Sequence, residues 1–238
     1  MLNQKALLTA ALICTLLFLF IVIGVANLSF GSVMRSLDQS LISSLRVQGQ
    51  DGDPIGPDWF EEAARDITAL GSVSSLGLIV VIGIMLLLSK SQVRAAIAIA
   101  NASIGCFLFN SLLKSFFDRP RPTIVPHEAV VFTPSFPSGH AMVSASTFAT
   151  MALLLAGSSL FIDRTKRIFL IAAISIFLIG SSRVYLGVHW PSDVIAGWAA
   201  GVAWSCLTIA FIHRHQLSPS EVNVQSKNEQ SKIKSQRN

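Results

Sequence analysis

The sequence predicts an all-α protein, a polytopic bundle of six membrane-crossing helices, and three observations carry that class. Of the 238 residues, 52% are hydrophobic and only 13% are charged, and the mean hydropathy is +0.60, too apolar for an ordinary soluble domain. Six apolar runs reach the roughly 20 residues that cross a hydrocarbon core about 30 Å thick. In every short loop but one, the lysines and arginines gather on one side of those runs, as they do in cytoplasmic loops.

The runs are 6–28, 67–89, 95–113, 141–161, 168–187 and 194–212. The first follows Lys5 as the core of a secretory leader would, but its apolar stretch exceeds the roughly 7–15 residues of such a core. No convincing small-residue cleavage site follows, and the run is read as a retained helix. Cys14, Cys106 and Cys206 lie inside expected spans without metal-ligand spacing and are read as small apolar residues.

Lys90 and Arg94 separate the second and third runs, and Arg164, Lys166 and Arg167 the fourth and fifth. Both loops are expected in the cytoplasm, which puts both termini there and makes the chain a multi-pass protein of the cytoplasmic membrane. The segment 29–66 is acidic by contrast and is expected outside. Within it Val33, Leu37, Leu41 and Leu45 recur at helical spacing, which fits either a helix lying in the outer interface or one packed across the helix tops. The loop after the third span is external on this count, yet it carries Lys114, Arg119 and Arg121.

The domain organisation that follows is one membrane domain, 1–213, and a tail, 214–238, rich in Ser, Gln, Asn and Lys and expected to be disordered and cytoplasmic. The net charge of +5 comes from inside loops and tail; no basic domain offers a nucleic-acid footprint.

Three polar clusters fall on the external ends of expected spans: Lys114 and Arg121 in KSFFDRPRP, Ser138 and His140 in PSGH, and Arg183, His189 and Asp193 in SRVYLGVHWPSD. Singly, each residue has an ordinary reading. Lys114 and Arg121 would snorkel to the headgroups, His140 would cap a helix, His189 beside Trp190 would join an interfacial belt, and Asp193 would favour a helix dipole, with Ser192 as N-cap. Together they suit phosphoryl transfer.

Lys114, Arg121 and Arg183 match the charge of a phosphate and its transition state. Ser138 and Gly139 at a helix start offer backbone N–H groups as an anion seat. His189 can attack phosphorus if Asp193, four residues on, holds its other ring nitrogen, and His140 can protonate the departing oxygen. With no carboxylate cluster of the kind that holds Mg²⁺, the cations are read as taking a metal's place, and no metal or other cofactor is expected.

Lys114-x6-Arg121-Pro122, Pro137-Ser138-Gly139-His140 and Ser182-Arg183-x5-His189-x3-Asp193 resemble the tripartite signature of the type 2 phosphatidic acid phosphatase (PAP2) superfamily, in order and at every defining position. The resemblance spans 66–204. It implies the helical fold of the acid phosphatases and vanadium haloperoxidases, a phosphohistidine on His189 oriented by Asp193, and His140 as acid and then base. Lys114, Arg121, Ser138, Gly139 and Arg183 would hold the phosphate, without metal, at the extracytoplasmic surface.

Six long spans set the soluble haloperoxidase branch aside. The expected substrate is a membrane lipid phosphate, first undecaprenyl pyrophosphate, with phosphatidylglycerophosphate or phosphatidate as the alternative. A non-catalytic lipid-phosphate carrier would need the cations but not His140, His189 and Asp193. A transporter would put its ionisable groups near the membrane midplane rather than at one surface.

Overall fold

The computed structural model describes residues 4–26, 28–47, 53–126, 133–157 and 164–214. Among these, regular structure is helical throughout: α1 (Gln4–Ala26), α2 (Leu28–Ser43), α3 (Asp58–Ala69), α4 (Val73–Ser89), α5 (Val93–Ala100), α6 (Cys106–Phe117), α7 (Gly139–Ala156), α8 (Thr165–Tyr185) and α9 (Pro191–Arg214). A π-helical turn, Asn101–Gly105, joins α5 to α6, so that 25 residues, Val93–Phe117, form one span. Apart from its first residue, the expected tail 214–238 lies outside the described residues.

Among the described residues, five helices are long and apolar enough to cross a membrane, and the bent pair α3 and α4 makes a sixth candidate. The continuous span expected over 67–89 is therefore corrected: α3 ends at Ala69, α4 starts at Val73, and their axes differ by 46°. The break is local chemistry. Gly71 and Ser72 interrupt the apolar run, and the Ser72 hydroxyl accepts the Ser75 N–H at 3.2 Å, capping a new helix instead of continuing the old one.

The central pair is α7 and α9. Along α9, Gly197 and Gly201 are spaced i, i+4 and face α7; a Cβ on Gly197 would lie 2.8 Å from the Ser138 carbonyl oxygen, and one on Gly201 2.9 Å from the Ala145 Cβ. Small residues at this spacing let helix backbones approach closely, which is how helices associate where lipid offers no hydrophobic contrast. Hydroxyls add to the packing: Thr150 of α7 donates to Ser205 of α9 at 2.8 Å, and Ser103 of the π-helical turn shares a 2.9 Å bond with Thr147 of α7.

Around this pair, Leu7 and Ala11 of α1, Ala98 of α5, Leu153 of α7, and Cys206 and Ile209 of α9 form one buried cluster. Cys106 packs with Met142 and Ala200. Large apolar residues such as Leu12, Leu16, Leu78, Leu86, Ile171 and Phe177 remain exposed on the outer helix faces, a surface suited to hydrocarbon.

Helix α2 resolves the choice left open for its periodic residues. Val33, Leu37 and Leu41 are exposed, while Asp38 and Ile42 on the other side are buried. Leu45, just past the end of the helix, is half-buried; the stripe on α2 itself is not covered by the helix tops, and what α2 turns inward is the Asp38 carboxylate together with Ile42.

Candidate active site

The last turn of α6, the first turn of α7, the last turn of α8 and the first turn of α9 meet at one end of the bundle, and the sequence clusters sit on those turns and, for Arg121 and His189, on the segments that follow α6 and α8. Two helix N-termini, with their partial positive charge, thus face the same place as three fixed cations.

His189 follows α8, is 2% exposed, and is held by its backbone N–H, which donates to the Arg183 carbonyl at 3.3 Å. Arg121 Nη1 lies 3.2 Å from His189 Nε2 and also donates to the Val188 carbonyl at 2.6 Å, while Arg121 Nε donates to the Thr133 carbonyl at 2.8 Å. On the other side of the ring, Nδ1 is 3.5 Å from Asp193 Oδ2 and 3.4 Å from Ser135 Oγ. Burial and then the positive charges of Arg121, Arg183 and Lys114 hold the imidazole well below the usual histidine range. His189 is therefore neutral at pH 7.

Asp193 is fully buried and spends both oxygens. Its Oδ2 accepts from Ser135 Oγ at 2.5 Å and from the Trp190 N–H at 3.0 Å, and its Oδ1 accepts from Arg119 at 2.5 Å. The Trp190 bond is local in origin: α9 begins at Pro191, a residue suited to a first helical position, and Asp193 reaches back to the amide just before the helix, as the acidic partner of a capping box does. Ser192 is inside the helix rather than its N-cap. Its N–H and hydroxyl both go to Asp38, at 2.9 and 2.6 Å.

The other predicted site residues converge. Lys114 is turned inward and nearly buried, donating to Thr133 Oγ1 at 3.4 Å and to the Pro134 carbonyl, so it does not snorkel. Arg183, 4% exposed, is steadied by Thr68 of α3 at 3.0 Å. His140 is half-buried and within electrostatic reach of Arg183, His189, Lys114 and Arg121. The Gly71 corner closes on it: a Cβ there would stand 3.2 Å from the His140 ring.

One expectation is corrected. The Ser138 N–H is not available to an anion, because it donates to the Asp193 carbonyl at 3.0 Å; that bond ties the start of α7 to the start of α9. Ser138 keeps a buried hydroxyl without a partner among the described residues. Gly139 opens α7, where a Cβ would meet Asn110 Oδ1 at 3.1 Å.

Sequence reading missed Ser135, Arg119, Asp38 and Thr68. Arg119 left a signal, being one of three cations in a loop whose neighbours assign it to the less basic side. The other three left none. Among the described residues no group of three or more His, Cys, Asp or Glu side chains is placed to hold a metal ion.

A helical membrane bundle that buries a neutral histidine between a carboxylate and three cations is the architecture of a membrane phosphatase. Residues 93–217 match the model of the PAP2 superfamily, and the chain belongs to that family. It is 32% identical to phosphatidylglycerophosphatase B of Bacillus subtilis over 190 residues, 78% of this chain and 88% of that one. Against an undecaprenyl-diphosphatase of Sulfolobus acidocaldarius the identity is 34% over 101 residues, 42% of this chain and 40% of the relative. The crystal structure of a transmembrane PAP2 type phosphatidylglycerolphosphate phosphatase from Bacillus subtilis aligns with a TM-score of 0.73 at 25% identity, covering 87% of this chain and 97% of that one.

Proposed function

We propose that this enzyme hydrolyses a phosphate monoester or pyrophosphate of a membrane lipid through a phosphohistidine, with undecaprenyl pyrophosphate as the first substrate to test. The observation that carries the mechanism is the setting of His189, with Nε2 facing the Arg121 guanidinium and Nδ1 turned to Ser135 and Asp193.

In this reading the phosphoryl oxygens replace solvent among Lys114, Arg121 and Arg183, with Ser138 Oγ and the Gly139 turn as further donors. His189 Nε2 attacks phosphorus as the bond to the lipid oxygen breaks, and His140, protonated once the negative charge of the bound phosphate offsets the neighbouring cations, gives that oxygen its proton, releasing a lipid alcohol from a monoester or a lipid phosphate from a pyrophosphate. The positive charge gained by the imidazole is balanced by Asp193. His140, now neutral, takes a proton from water, which attacks the phosphohistidine and releases inorganic phosphate. The three cations offset the charge that a metal would otherwise neutralise, so turnover is expected to survive EDTA.

Loop charge supports an extracytoplasmic site. Lys90 and Arg94 stand at one end of the Val93–Phe117 span and Lys114 at the other, about 30 Å or more away along a helix rising 1.5 Å per residue. With Lys90 and Arg94 in the cytoplasm, the site faces outward.

A second substrate reading, phosphatidylglycerophosphate, is favoured by the extent of the match to phosphatidylglycerophosphatase B, which covers 88% of that relative. Phosphate release by the purified protein in detergent with EDTA, compared across undecaprenyl pyrophosphate, phosphatidylglycerophosphate and phosphatidate, decides between them. Release from none of the three, or equal release by His189→Ala, would sink the phosphatase reading.

A further inference from the structure

We infer that Arg119, anchored by Asp38 of α2, is a positioning residue that fixes the Asp193 carboxylate for His189. The inference rests on the reading of His189 as nucleophile and extends it to a residue pair outside the three sequence clusters.

Asp38 and Arg119 are 81 residues apart in the chain. Arg119 is all but buried, its side chain 10% exposed. One terminal nitrogen donates to Asp193 Oδ1 at 2.5 Å and to Ser192 Oγ at 2.8 Å; the other donates to Asp38 Oδ2 at 2.9 Å. The guanidinium also lies 5.6 Å from the centre of the Trp190 ring. Both terminal nitrogens are thus engaged, and the partners they hold are carboxylates and the Ser192 hydroxyl.

Asp38 completes the frame. It is 2% exposed, and it also takes the Ser192 N–H and hydroxyl, at 2.9 and 2.6 Å. It therefore grips the first turn of α9 directly and through Arg119. The result is a carboxylate–guanidinium–carboxylate chain in which Asp193 is the inner member. Its oxygen facing Arg119 is not the one facing His189, so the bond sets the rotation of the carboxylate without competing for the ring.

Physical reasoning gives the arrangement a purpose. A buried carboxylate without a counter-charge takes up a proton or turns away, and either change removes the acceptor that stabilises His189 as it gains positive charge. A shift of about 1 Å in a catalytic group can cost about 100-fold in rate. A residue that acts this way affects the chemical step more than substrate binding.

The test measures kcat, KM, the single-turnover rate of phosphoenzyme formation and the melting temperature of detergent-purified Arg119→Ala, Arg119→Lys and Asp38→Asn. The substrate is whichever of the three lipids above the wild type hydrolyses fastest. Arg119→Ala is expected to lose about 100-fold in kcat and in phosphorylation rate, with KM within about twofold. Arg119→Lys, which keeps the charge but not the fork, is expected to recover part of that rate. Asp38→Asn is expected to lose about tenfold, and to lose nothing further when combined with Arg119→Ala, because it acts through the same group.

A KM raised tenfold at unchanged kcat would make Arg119 a substrate contact and overturn the proposal. So would additive effects in the double variant, or wild-type kcat in folded Asp38→Asn. If Arg119→Ala does not fold, Arg119→Lys and Asp38→Asn carry the same comparison. His189→Ala runs in parallel: turnover in that variant sinks the nucleophile reading, whereas a dead His189→Ala beside fully active Asp38 and Arg119 variants sinks only the positioning role.

Discussion

Arg121 Nη1 stands 3.2 Å from His189 Nε2. A guanidinium has hydrogens to give and no lone pair to accept with, so the ring nitrogen it faces is the acceptor and the proton of the neutral imidazole is on Nδ1. That proton faces Ser135 Oγ at 3.4 Å and Asp193 Oδ2 at 3.5 Å. The tautomer with an unprotonated Nε2 is the one that a nucleophile needs, and the surrounding groups impose it.

The same contact sets a pH dependence. Burial and the cations Arg121, Arg183 and Lys114 lower the His189 pKa; a lowered pKa means that the neutral, nucleophilic form persists as pH falls through the ordinary value of about 6.5. Replacing Arg121 with Met removes one of those cations, which moves the His189 pKa up and deactivates the variant earlier on acidification. The ratio of variant to wild-type kcat/KM is expected to fall as pH drops from 8 to 5. Substrate titration is common to both and cancels in the ratio, so a flat ratio would show that Arg121 does not set the His189 charge.

Ser135 stands between the imidazole and its carboxylate, donating to Asp193 Oδ2 at 2.5 Å. A hydrogen bond to a charged group contributes about 1.5–3 kcal/mol, and that is about 10–100-fold in rate if it is expressed in the transition state. Ser135→Ala is expected to lose that much in kcat with KM nearly unchanged. Unaltered single-turnover kinetics in the variant would exclude Ser135 from the catalytic link.

Thr68 reaches Arg183 from α3 at 3.0 Å. Thr68→Val keeps the shape and removes the acceptor, so the guanidinium is less well held to receive phosphate. A decrease of about tenfold in kcat/KM is expected, mostly in KM. Measuring inhibition by inorganic phosphate checks the origin: the inhibition constant should rise in parallel, and an unchanged constant would place the effect elsewhere.

Close approach of α9 to α7 depends on Gly201, where a Cβ would stand 2.9 Å from that of Ala145. Gly201→Val forces the helices apart, at about 1–3 kcal/mol by the usual range for overpacking. A lower melting temperature in detergent is expected together with loss of turnover, because the Ser138 N–H bond to the Asp193 carbonyl crosses the same interface. Wild-type melting and activity would mean that the contact is not needed.

Much of this protein was legible in its sequence, for reasons that are local. Apolar runs long enough to span a bilayer register in composition alone, and motifs such as PSGH and SRVYLGVHWPSD carry their chemistry within one helical turn. Asp193 could be assigned to the first turn of a helix because its place beside the apolar run is set by neighbours in the chain, although the cap itself falls at Trp190 and not at Ser192.

The tertiary structure decided what depends on groups far apart. Nothing near Asp38 in the chain distinguishes it from the other acids of 29–66; only the fold carries it to Arg119 and Ser192. Thr68 is one hydroxyl at the end of an amphipathic helix until α3 is packed on α8 and meets Arg183. The Ser138 amide read as an anion donor by its position at a helix start, and was claimed instead by the carbonyl of Asp193 on the neighbouring helix. A hydrogen bond across the bundle depends on helix spacing and rotation, and these follow from how side chains along the whole length of α7 and α9 fit together.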